Sequence, residues 1–152
     1  MINNDIEIKK LLDALNYSEI SSEKIVEDLE IVLTRTVKRN KLIKALTVTD
    51  KGGLSMVQYS KIYPVSYLEN IFSPSIGVIL ATSERAIDGT SISKINSVWV
   101  EGDKENIIVA SITRNYLLGA IVDANAPRGL IIRDLRQTIG QLRGVLRKHD
   151  LK

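Results

Sequence analysis

A chain of 152 residues with 44% apolar residues and a net charge of +3 is the size of one domain, able to bury roughly two thirds of its unfolded surface. It has no cysteine, which excludes disulfide staples, thiolate metal sites and a cysteine nucleophile. The amino terminus lacks a secretory pattern and no apolar run approaches the roughly 20 residues of a membrane span, so the sequence predicts a soluble cytoplasmic protein without membrane insertion.

Charge is unevenly spread. Residues 1–34 carry eight acids and three bases, residues 35–44 five bases and no acid, and residues 127–152 seven bases and two acids. The basic carboxyl end could suit nucleic acid, but no aromatic interleaving or binding motif accompanies it, and basic residues favour helix carboxyl ends.

In chain order, Ile8, Leu11, Leu12 and Leu15 mark a short helix over 4–15, capped by Asn4. The polar stretch NYSEISS follows, and Ile25, Leu29, Val32, Leu33 and Thr36 then mark a second helix. Beta-branched residues run to Asp50-Lys51-Gly52-Gly53 and resume at Leu54, predicting two strands joined by a glycine turn. Lys51 precedes its glycines, so the turn is not a phosphate-cradling loop.

Ser73-Pro74 reads as a helix start, with serine as cap and an earlier helical turn over Tyr67 to Phe72. The helix SIGVILATSERAIDG is apolar nearly all round at Ile76, Val78, Ile79, Leu80 and Ala81, which calls for cover on more than one side and hence for a partner chain. Extended runs at 91–101, 106–114 and 116–123 predict an antiparallel meander buried on both faces. Ile131, Leu135, Ile139, Leu142 and Leu146 mark a terminal helix, entered through a corner where Asn125 or Ala126 is the expected cap and Pro127 lies in the first turn.

Nothing in this pattern forms a catalytic cluster, and neither a metal nor an organic cofactor is expected. His149, the single histidine, lies three residues from the end, where chains fray. Gly140 and Gly144 read as a close-packing pair on the last helix, and Trp99 as a core residue or a subunit contact.

The glycine hairpin TVTDKGGLSMV, the small-residue helix IGVILATSERA and the corner YLLGAIVDANAPRGLIIRDLRQTIGQLRGVL, in that order, resemble the roadblock / dynein light chain family over about residues 22–148. The resemblance implies an α+β fold: a five-stranded antiparallel sheet with order α-β-β-α-β-β-β-α, the middle helix on one face and the first and last on the other. Residues 22–152 would form the domain and residues 1–21 an N-terminal helical extension.

It also implies a homodimer, joined edge to edge by the third strand (92–101) and by pairing of the middle helices (74–88). Ile76, Ile79, Leu80, Ile95, Ser97 and Trp99 are the interface residues expected from this arrangement. The implied function is a non-catalytic binding module that docks and regulates a small Ras-like GTPase, with Tyr67, Phe72 and Arg85 as partner-binding residues. Arg114 and Arg128 are candidates to reach into the GTPase site, though both have ordinary surface explanations. The alternatives are a purely structural subunit of a larger complex and, behind it, a nucleic-acid-binding protein.

Overall fold

The computed structural model describes residues 2–89 and 94–151, by backbone alone at 2–3 and 17–21. Its elements are α1 (Ile2–Arg39), β1 (Ile43–Asp50), β2 (Ser55–Ser60), α2 (Val65–Tyr67), α3 (Ser73–Ile87), β3 (Ser97–Glu101), β4 (Glu105–Ser111), β5 (Tyr116–Asp123) and α4 (Arg128–Lys148). The strands form one antiparallel sheet in the order β2-β1-β5-β4-β3, the α+β architecture expected.

The two expected amino-terminal helices are one. NYSEISS holds neither proline nor glycine, so nothing interrupts the i to i−4 ladder, and α1 runs 38 residues without a break. From Ile25 onward it packs on the sheet, burying Leu29, Val32, Leu33 and Val37. Before that point Ile6, Ile8, Leu11, Leu12 and Leu15 are each more than half exposed. The apolar stripe therefore continues past the domain that it helps to cover.

One face of the sheet is closed by α1 and α4, with Leu46, Leu118, Ile131 and Leu142 at its centre. A polar weld joins the two helices. The Thr36 and Thr138 hydroxyls meet at 2.9 Å, and Asn40 Nδ2 donates to Asp134 Oδ2 at 2.7 Å. His149 does not fray: its Nε2 stands 3.0 Å from Asp28 Oδ2, docking the end of α4 on α1, and this hydrogen bond holds the Asp28 carboxyl below its usual range.

The opposite face is closed by Ile76 and Leu80 of α3 and by Phe72 just before it, against Ala45, Val109, Leu117 and Ile121. Helical backbone begins at Val65, after Pro64, and passes through a π-helical turn over Leu68–Phe72 before α3. Ser73 is consequently not a cap. It is fully buried, its hydroxyl 3.0 Å from that of Thr47 on β1.

Two of the quoted motifs are explained by how closely α3 approaches the sheet. Gly53 has φ 91°, as the hairpin turn requires, and a side chain there would meet the Ser73 carbonyl at 2.8 Å. A Cβ on Gly77 would meet the Gly52 backbone at 2.9 Å, so turn and helix touch backbone to backbone. At the centre of the sheet, Gly119 leaves the space that Ile76 fills.

Three smaller expectations are corrected. Of the extended run expected from 91, residues 91–93 lie outside the described residues, and strand begins only at Ser97. Pro127, not Asn125, precedes α4. The Asn125 amide instead donates to Asp123 Oδ1 at 2.8 Å, closing the corner as an Asx turn. Gly140 and Gly144 have nothing near their Cβ positions, so they mediate no close packing among the described residues.

Candidate partner interface

The β3 strand has β4 on one side and no strand on the other among the described residues. An unpaired edge presents free backbone donors and acceptors, and here it carries Val98, Trp99 and Val100 with no proline or lysine to blunt it. Val98 leans toward the α3 side of the sheet and Trp99 toward the α4 side. The Arg128 guanidinium lies 5.1 Å from the Trp99 ring centroid and pairs with Glu101, so Arg128 belongs to this edge. Arg114 is exposed beyond the end of β4.

Beside the edge strand, α3 turns a second face outward. Ile71 and Val78 are 58% and 64% exposed, with Pro74, Ala81 and Arg85 along the same row. This row is the apolar cover-seeking face that the composition of α3 announces. The individual residues expected there divide differently. Ile76 and Leu80 are 0% and 3% exposed, and Phe72 is 2% exposed. All three are sealed in the chain's own core, where β1, β4 and β5 cover them, and they offer a partner nothing.

Ile79 and Ile95 are half-buried against that core, Ser97 is exposed, and Tyr67 stacks on Tyr63 at 5.5 Å. An all-round apolar helix does not reveal which side is inward. The signal available in the sequence is Gly77: a glycine among large apolar residues marks where another backbone approaches, and so marks its own side of the helix, shared with Ser73 and Leu80, as inward.

A third feature is an open groove of about 1320 Å³ running past the β3 edge toward α4. Its α4 side is lined by Trp99, Ile132 and Ile139 and by Arg114, Arg136 and Arg143. The two acids that line it, Glu84 and Asp88, stand on the α3 side.

At the far end of the sheet, Lys44 Nζ lies 3.0 Å from Glu105 Oε1 and 3.9 Å from Asp123 Oδ2, and the Tyr63 hydroxyl donates to Glu105 Oε2. Burial and that hydrogen bond push Tyr63 up to about 12, while the same bond holds Glu105 below its usual range. Each member has its partner, and the cluster ties the loop after β2 to β1 and β4. No group of three or more His, Cys, Asp or Glu side chains is arranged to hold a metal ion among the described residues. No helix among them is long and apolar enough to cross a membrane.

No protein-family model matches the sequence, and no curated protein does. Solved structures do. The gliding protein MglB of Thermus thermophilus superposes with a TM-score of 0.72 at 14% identity, over 82% of this chain and 92% of that one. An MglB solved in a tetrameric arrangement gives 0.73 at 13%, over 82% and 92%. A roadblock/LC7 domain from Streptomyces avermitilis gives 0.70 at 16%, over 78% and 98%. With the strand order, the two-faced helical cover and the hairpin-to-helix contact, these similarities establish that the chain has the roadblock-family fold.

Proposed function

We propose that this chain is a homodimeric, non-catalytic module that docks a small Ras-like GTPase and regulates it by contact. The observation that carries the reading is the pairing of an open edge strand, β3, with an outward apolar row on the neighbouring helix α3. Two copies related by a two-fold axis would continue the sheet through β3 and cover Ile71 and Val78 against their twins. Ile79, Ile95, Ser97 and Trp99 would border that contact. The partner surface would then lie across the paired α3 helices, where Tyr67 and Arg85 stand. The tetrameric arrangement of one structural neighbour supports self-association in this fold, and the family resemblance supplies the GTPase.

Pull-down and single-turnover hydrolysis assays against small GTPases of the same organism test the reading. Binding, with a changed hydrolysis or exchange rate that is lost in Arg85→Glu, is expected. No binding to any of them would overturn it.

A further inference from the structure

The exposed half of α1 and the groove beside α4 are each half of a contact. Residues 2–24 extend about 34 Å at 1.5 Å per residue before α1 meets the core at Ile25. Their apolar row, Ile8, Leu11, Leu12 and Leu15, is more than half exposed and has no cover among the described residues. At 100° per residue, the charges nearest that row are Asp5 and Glu7 on its two flanks, while Lys9 and Lys10 fall further round. The α4 side of the groove offers the complementary chemistry: Ile132 and Ile139 alternate with Arg136 and Arg143 along one row of α4, with Arg114 beyond the end of β4, and no acid lines this side among the described residues. Ile8 to Leu15 and Ile132 to Ile139 each span seven residues, about 10 Å of helix.

We infer that the amino-terminal half of α1 docks in the α4-side groove of a second copy of the chain. Its own groove is out of reach, because α1 is one continuous helix leading away from the domain. Pairing with its twin would set acids beside acids, and an interfacial helix for an anionic membrane would border its apolar row with bases. Each chain carries one helix and one groove, so two copies satisfy both by exchange.

The absence of native cysteine makes a direct test clean. Full-length chains carrying Leu12→Cys and Ile132→Cys, both at exposed positions, are mixed and treated with a short bifunctional thiol reagent. A mixed product of two chains is expected. Arg114→Glu with Arg136→Glu on the Ile132→Cys chain should cut its yield about tenfold, as like charges at a contact do, and Asp5→Lys with Glu7→Lys on the helix chain should restore it.

A yield indifferent to these charges, or linkage only between two Leu12→Cys chains, would overturn the inference. Val78→Asp, which removes the contact of the proposed dimer, should leave the mixed product unchanged. Failure of one interface is therefore distinguishable from failure of the other.

Discussion

Tyr63 shows how a half-buried polar residue contributes to stability without serving a site. Its hydroxyl donates to a carboxylate that Lys44 also holds, and Glu105 is correspondingly lowered while Tyr63 is raised from 10.0 to about 12. A raised folded pKa means that the folded chain holds the proton more tightly than the unfolded one. That stability is complete below pH 10 and is lost as pH rises toward about 12. Tyr63→Phe should therefore lower the unfolding free energy at pH 7 by about 1 kcal/mol, the typical net contribution of a hydrogen bond at a partly exposed position. It should also flatten the decline between pH 10 and about 12, both read from urea midpoints across pH. No spacing in the sequence announces this cluster, because Lys44, Tyr63, Glu105 and Asp123 converge only when the sheet folds.

Among the elements, α4 carries a defect that its surroundings do not require. Gly140 and Gly144 lie mid-helix, with open space at their Cβ positions. Glycine there costs backbone entropy without permitting any close approach, so Gly140→Ala and Gly144→Ala should each stabilise the fold by about 0.5–1 kcal/mol, seen as a higher thermal midpoint. Strands and helices were legible wherever period and turn chemistry agreed, as in the β1–β2 hairpin and the amphipathic row of α4. They are not legible where polarity stands in for geometry: NYSEISS is hydrophilic yet contains no breaker, and GxxxG fixes a spacing but not a facing. The outward row of α3 was announced as a need for cover. Its members could not be told from Ile76 and Leu80 by hydropathy alone, because inner and outer sides are equally apolar.

At the scale of the molecule, three surfaces lack cover among the described residues: the β3 edge, the outer row of α3 and the free half of α1. The first two adjoin and fit one two-fold contact. Val78→Asp would bury an uncompensated charge in that contact while changing nothing inside the protomer, since Val78 points to solvent. Light scattering should find the wild-type chain at twice or more its 16.9 kDa, and the variant at least tenfold weaker in self-association through this face. Unchanged circular dichroism would accompany that loss.

The single tryptophan of the chain stands on the strand where two copies would join, its ring beside the Arg128 guanidinium. Its emission consequently originates from one known place. An indole that loses water at a joined edge shifts to shorter wavelength, so dilution of the native chain should move the spectrum to the red as copies separate. If two copies join as proposed, the tryptophan would serve as a built-in optical gauge of that joint.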